Sequence, residues 1–298
     1  MWIFDIMMIE VIMKCWLITN KYLSGPKYDV IVEHFLNASR ELGLDLEHRY
    51  NDSIVISSDT TLSHRPDFVI YWDKDINLAK YLESQGIPVL NNSEAISTCD
   101  DKRLTTLALD GKVAMPRTIV APMTYENVGY TDYDYIQNVE NVIGYPVVVK
   151  EAFGSYGRQV YLANDRQQLM DILKNISHKP HLFQQFVSTS SGVDMRLQVV
   201  GDEVVASMKR VSNGDFRANI TNGGRMLHYT PTPEQSALAI KVAKLLNLDF
   251  AGVDLLFGED GPMVCEVNSN AHFDNLYRLT NVNTAKHILE YAMDKYSK

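Results

Sequence analysis

The sequence predicts an α/β domain with a small, mostly parallel sheet, followed by an α+β region of two lobes. Two observations carry this: short apolar runs alternate with helix-periodic stretches up to about residue 97, and from about residue 117 the strands pair around short turns. The composition permits it. With 298 residues, 46% hydrophobic and 22% charged, there is apolar surface for two or three cores, which excludes disordered and fibrous classes.

Lys14 to Thr19 is expected to be the first buried strand. From Asp29 to Leu42, Val32, Phe35, Leu36 and Leu42 are spaced for one helix face, and Gly43 stands where a C-cap belongs. Leu44 to Tyr50 and Asp67 to Trp72 read as strands, Ile76 to Ser84 as a short helix, and Gln85 to Leu90 as a turn into another strand. Further on, Arg117 to Ala121, Pro146 to Lys150 and Gln159 to Leu162 are strands, and Leu169, Ile172, Leu173 and Ile176 mark a helix. Met195 to Val200 and Glu203 to Arg210 flank a Gly201-Asp202 turn, a β-hairpin pattern. Thr232-Pro233-Glu234-Gln235 combines an N-cap, a proline at the first helical position and a glutamine three residues on, opening a helix to about Leu246. Strands at Phe250 to Phe257 and Met263 to Asn268 precede a closing helix from Thr284. Tyr125 to Tyr135 has no clear period and is taken as a connecting excursion.

Charge and cysteine content narrow the partners. Lys and Arg number 28 against 37 Asp and Glu, a formal charge of −9, so neither duplex nucleic acid nor an anionic membrane is expected as the main partner. Cys15, Cys99 and Cys265 are scattered and lack CxxC spacing, so a reducing, cytoplasmic setting fits better than a disulfide framework or structural zinc. The apolar run Met1 to Thr19 is interrupted by Asp5, Glu10 and Lys14, which argues against a signal peptide or membrane anchor. Residues 1–12 read as an appended segment, with Met13 as an alternative start that N-terminal sequencing of the native product would test.

Three constellations carry chemistry. The first, Val147 to Val160, is a strand ending in Lys150, a turn with Gly154 and Gly157, and a second strand; the glycines permit backbone N–H groups to converge on an anion beside the lysine. It is not a Walker A loop, and an ordinary hairpin with two turn glycines is the alternative. The second is the Gly252 to Asn268 hairpin. Centred near Asp260, it puts Asp254 opposite Glu266, with Asn268 on the same face. Opposed carboxylates at roughly 4.5–5.5 Å between Cβ atoms destabilise an antiparallel pair, so a cation is expected there. The all-oxygen set suits Mg²⁺ or Mn²⁺, against the alternative of a solvated hairpin face. In the third, the Gly201-Asp202 hairpin is expected to pair Asp194 with Lys209 and Arg196 with Ser207, and Arg210, Arg217 and Arg225 follow. Alone these read as surface ion pairs; beside the other two groups they become candidates for gripping phosphate or carboxylate.

Together these residues resemble the ATP-grasp superfamily, and within it the RimK-like (ribosomal protein S6 modification) glutamate ligases. The motifs occur in family order from about Thr98 onward: Cys99-Asp100-Asp101-Lys102, Val149-Lys150 with its glycine turn, Gln184 to Val187, Gly192 to Arg196, Gly214 to Asn219, Ala251 to Asp254, and Glu266-Val267-Asn268. The resemblance implies a Rossmann-like pre-grasp domain over 13–97, a small ATP-grasp lobe over 98–187 and a C-terminal lobe with the metal site over 188–298. It also implies roles. Lys102 and Lys150 would contact nucleotide phosphates under a lid containing Gly154, Ser155 and Gly157. Gln185, Phe186 and Val187 would read adenine, Asp194 would take the ribose, and Arg217, with Lys150 and Asn219, would serve the reacting phosphate. Asp254, Glu266 and Asn268 would hold two Mg²⁺ ions, with Mn²⁺ as a substitute.

The implied reaction is attack of a carboxylate on the ATP γ-phosphate, then opening of the acyl phosphate by an amine. The implied substrates are an amino acid, glutamate first, and an amine or peptide acceptor, with Arg196, Arg210, Ser269, Asn270 and His272 near them. Family members often assemble as homo-oligomers. The sequence departs from the family at Ser269-Asn270-Ala271-His272-Phe273, where the glutamate ligases continue with Ser-Pro-Gly, and at Gln185, which replaces a commoner acidic residue. Cys265 is expected on the face opposite Glu266, in the core. The competing readings are a small-molecule ligase of the D-alanine, glutathione or lysine-carrier type, a nucleotide-binding regulatory module without turnover, and a phosphotransferase.

Overall fold

The structure is a computed structural model that describes residues 12–59, 61–219 and 223–297. The appended segment expected over 1–12 therefore lies outside the described residues except for Ile12. The first sheet is parallel, built from β1 (Lys14–Thr19), β2 (Asp45–Tyr50), β3 (Phe68–Trp72) and β4 (Val89–Leu90) in the order β2-β1-β3-β4. Helix α1 (Pro26–Leu42) starts three residues before the expected Asp29, because Pro26 is accommodated in its first turn, and it ends as expected on Gly43 in the left-handed conformation, φ 68°. After α1 the chain enters β2 on one side of β1, then crosses so that β3 lies on the other side. The strand order reverses between β1 and β3, and their C-terminal ends border a crevice.

Helix α2 (Ile76–Ser84) is capped by the Asp75 carboxylate, which accepts from Asn77 N and Leu78 N. Two short helices not anticipated from the sequence, α3 (Ser93–Asp100) and α4 (Lys102–Leu109), follow β4. Each is eight residues long, and the break at Asp101, whose side chain caps α4, interrupts the period that would have revealed them. The second sheet is antiparallel: β5 (Thr118–Val120), β6 (Val147–Glu151), β7 (Val160–Ala163) and β8 (His181–Gln185), in the order β5-β8-β6-β7. With α5 (Ile136–Val142) and α6 (Arg166–Ile176) it encloses a core of its own that includes Ile136, Val147, Val149, Leu173 and Phe183. Helix α5, also not anticipated, begins directly after the Tyr125 to Tyr135 stretch, with Tyr135 at its N-cap position.

The third sheet, also antiparallel, has the order β11-β10-β9-β12-β13. Its strands are β9 (Val193–Val200), β10 (Glu203–Val211), β11 (Arg225–His228), β12 (Phe250–Gly258) and β13 (Gly261–Asn268). Helix α7 (Pro233–Leu245) opens with the expected capping box between Thr232 and Gln235, and α8 (Asp274–Thr280) and α9 (Thr284–Tyr296) close the chain. One core joins the first and third sheets: Phe35, Phe68, Ile70 and Trp72 pack with Phe250, Phe273 and the α9 residues Ile288 and Leu289. The Trp72 ring stacks on Phe250 at 5.4 Å between centroids. Asn91, fully buried, donates to the carbonyls of Phe250 and Ser269 at 2.9 Å each and accepts from Asp249 N and Phe250 N at 2.7 and 3.2 Å.

One expected register is corrected. A β-bulge at Val205 shifts β9 against β10 by one residue, so Asp194 faces Arg210 rather than Lys209, and Arg196 faces Met208 rather than Ser207. The β12–β13 register is as expected through Asp254↔Glu266 and Gly252↔Asn268, with a bulge immediately beyond at Cys265. Among the described residues no helix is long and apolar enough to cross a membrane.

Candidate active site

Two cavities meet on the third sheet. The smaller, about 100 Å³, lies between the second and third sheets; the larger, about 470 Å³, lies between the third sheet and the C-terminal ends of β1, β2 and β3. Arg210, Asn219 and Glu266 line both, so they stand at the seam.

In the smaller cavity Lys150, on β6, is buried, and its ammonium reaches only the Cys265 carbonyl at 3.5 Å and Sγ at 3.7 Å; among the described residues no carboxylate pairs with it. A buried ammonium so weakly satisfied favours an anion in front of it. Lys102, at the start of α4, donates from Nζ to the Gly154 carbonyl at 3.1 Å and lies 3.4 Å from Glu266. Arg217 braces the glycine turn, donating to the Gly157 carbonyl at 2.8 Å while paired with Asp215 at 2.7 Å. Gly157 needs its glycine: at φ 70° a Cβ would also sit 2.5 Å from Asn219 Oδ1. Gln185, the last residue of β8, with Phe186 and Val187 directly after it, forms the rim, facing Val148, Phe216 and Leu256. This apolar slot was not anticipated as a set. Gln185, Phe186 and Val187 were expected to read adenine, whereas Val148, Phe216 and Leu256 lie within quoted motifs but were given no role. Gly154 and Ser155 belong to the same turn, but Ser155 lines the larger cavity with Tyr156.

The opposed carboxylates are neutralised by side chains. Arg196 donates to both oxygens of Asp254 at 2.6 and 2.7 Å, and Arg210 adds a contact at 2.8 Å while gripping Asp194 through both oxygens at 2.7 and 2.6 Å. Burial opposes ionisation of Asp254, but the Arg196 and Arg210 guanidiniums hold its carboxyl below the usual range. Guanidinium thus meets the charge of Asp254 and the Lys102 ammonium meets that of Glu266. The β10 bulge is what turns Arg210 into this cluster.

Asn268, Asn270 and His272 line the larger cavity; Ser269 does not, being buried behind it with its carbonyl bound by Asn91. His272 is tied through Nε2 to the Lys27 carbonyl. Cys265 is not in the core as expected. As the extra residue of the bulge it points into the smaller cavity beside Lys150, and burial raises its thiol above the usual range, which leaves it protonated. Lys27, Tyr156, Asn20 and Asp73 also border the larger cavity and were not anticipated, because the crossing from β1 to β3 assembles them from distant stretches.

A family model described as the RimK-like ATP-grasp domain matches residues 101–292. The chain belongs to the RimK-like ATP-grasp family. It is 34% identical over 255 residues to human N-acetylaspartylglutamate synthase A, covering 85% of this chain and 63% of that protein. To a probable alpha-L-glutamate ligase of Legionella pneumophila it is 34% identical over 221 residues, 72% of this chain and 70% of that one. The crystal structure of a RimK domain ATP-grasp protein from Sphaerobacter thermophilus superposes with a TM-score of 0.71 at 21% identity, covering 93% of this chain and 98% of that one, and shows the ATP-grasp fold. This RimK-like protein is an ATP-dependent carboxylate-amine ligase, and ligases of its family use ATP and Mg²⁺.

Proposed function

We propose that the chain joins an amino acid, glutamate first, to a protein, peptide or small-molecule partner, with ATP in the smaller cavity and the organic substrates in the larger. The observation that carries this is the seam. Arg210, Asn219 and Glu266 belong to both walls, so a phosphate in one cavity and a carboxylate in the other can meet there. The printed names of the human and Legionella relatives favour glutamate as the residue added. The first sheet acts as the pre-grasp element, its strand ends forming the far wall for substrate.

The residues divide the work. The slot behind Gln185, Phe186 and Val187 suits a flat base, with backbone groups available to its edge, and Asp194, which lines the same cavity, would take the ribose beside its Arg210 partner. Lys150, with no carboxylate partner among the described residues, and Lys102 draw the phosphates, and Arg217 steadies the glycine turn over them. Closing that turn excludes water from the acyl phosphate, which an amine then opens to the amide. No side chain is required as covalent nucleophile, and the protonated Cys265 is not one.

The donors fit a divalent cation unequally. Asn268 Nδ2 is buried without a hydrogen-bond partner among the described residues, so its amide is free to turn its oxygen outward, and Glu266 is held only by Lys102. Asp254 already accepts three charged hydrogen bonds, leaving about one of its roughly four lone-pair sites. Glu266 and Asn268 would thus be the principal holders, with Asp254 secondary, of two Mg²⁺ ions or of Mn²⁺. Bound there, the metal offsets the phosphate charge.

The test is phosphate release across pairs of amino acids, peptides and small carboxylic acids, with mass spectrometry of the products. Amine-dependent ADP formation with an amide product is expected. Nucleotide binding without turnover would identify a regulatory module, and a phosphorylated product without amide would identify a phosphotransferase. Glu266→Gln should lower turnover by roughly 10²-fold or more, and full Mg²⁺-dependent activity in that variant would remove the metal assignment.

A further inference from the structure

The larger cavity reaches well past the seam, to the ends of β1 and β3 where the first sheet reverses its strand order. Asp73 directly follows β3 there and is 4% exposed. Its carboxylate accepts from Asn20 Nδ2 at 3.1 and 3.3 Å and from the Lys74 backbone N–H at 2.7 Å. All of these donors are neutral. The adjacent Lys74 ammonium is paired with Asp100; its charge is felt at Asp73, but among the described residues no cationic side chain forms an ion pair with Asp73. Burial pushes this carboxyl above the usual range, against the hydrogen bonds from Lys74 N and Asn20. A buried carboxylate with only neutral partners is costly unless a cation joins it. Elsewhere on the same wall stands Lys27, whose ammonium lies over the Tyr156 ring at 3.4 Å and has no carboxylate partner among the described residues. One cavity thus carries a carboxylate and an ammonium that have no ion-pair partner among the described residues.

We propose that these two charges make the cavity a site for a zwitterion: Asp73, steadied by Asn20, takes the ammonium group of an α-amino acid, and Lys27 favours its carboxylate end. The proposal rests on the ligase reading of this cavity and adds the chemical group that it selects. Asp73 is a recognition residue, contributed by a strand end of the first sheet, outside every motif shared with the family.

Calorimetric titration of the full chain, with a non-hydrolysable ATP analogue and Mg²⁺ present, tests it. The probes are L-glutamate, L-aspartate and L-alanine, each against its deaminated counterpart, glutarate, succinate or propionate. At least one amino acid should bind roughly 10- to 100-fold tighter than its counterpart, the usual worth of a buried charged hydrogen bond. Asp73→Asn should bind both members of the pair alike, and Asn20→Ala should fall between, with affinity for the ATP analogue unchanged in both as the check on folding. Equal binding of amino and deaminated probes to the native protein, binding of none of them, or a preference that survives in Asp73→Asn overturns the proposal. The ligase reading fails separately, by the lack of any ATP-dependent amide product in the phosphate-release screen.

Discussion

His181, at the start of β8, is 1% exposed; its Nδ1 donates to the Lys179 carbonyl at 2.8 Å, and its Nε2 has no hydrogen-bond partner among the described residues. The ring packs edge-on against Phe183. Burial holds its pKa below the ordinary 6.5, and burial acts likewise on His48 and His272. The sign follows directly. Above 6.5 the folded and unfolded chains are both neutral at these sites; below it the unfolded chain binds protons that the folded chain refuses, so stability falls with pH until the lower folded value is passed. His181→Phe should flatten the decline in unfolding free energy, measured by urea titration between pH 6.5 and 5, by up to about 1.4 kcal/mol per pH unit, and an unchanged slope would refute the assignment. At this scale the sequence was most informative where a residue's chemistry was local. Lys150 and the two glycines could be read from one strand and turn, whereas the isolation of the Lys150 ammonium depends on β13, more than a hundred positions away.

At the scale of elements, the β12–β13 hairpin was legible because its alternation is regular around Asp260, and its irregularity comes only beyond the pair that mattered, at Cys265. The β9–β10 hairpin was not, because nothing in Glu203–Val211 marks Val205 as the residue that bulges. A side-chain period of two makes such a slip move every later residue to the other face, which is how Arg210 rather than Lys209 comes to hold Asp194. The turn after β13 presses on its partner strand: a Cβ on Gly252 would lie 2.3 Å from the Ala271 Cβ. Since neither atom can swing aside, Gly252→Ala should cost about 1–3 kcal/mol, measured as a lowered denaturant midpoint. A variant as stable as the native protein would show that the turn yields freely.

For the whole molecule, the alternation of strands and helices up to residue 97 was enough to read a parallel sheet, but not that its core continues into the third sheet. Packing of Phe68, Ile70 and Trp72 against Phe250, Phe273 and α9 joins chain segments nearly two hundred residues apart, and no periodicity encodes it. A chain beginning at residue 98 would expose the matching faces of Phe250, Phe273, Ile288 and Leu289. It should therefore melt at a lower temperature than the full chain, whereas an unchanged melting temperature would mean that the later sheets do not lean on the first.

The second sheet is built differently, around a cluster to which the other sheets contribute nothing among the described residues. An interior closed separately from the rest gives this sheet its own threshold for opening. In deuterated water, amides of β5, β6, β7 and β8 should exchange as one batch, and those of β1, β3, β9 and β12 together as a second. Nucleotide should slow both batches, because the smaller cleft takes one wall from the second sheet and the other from the third.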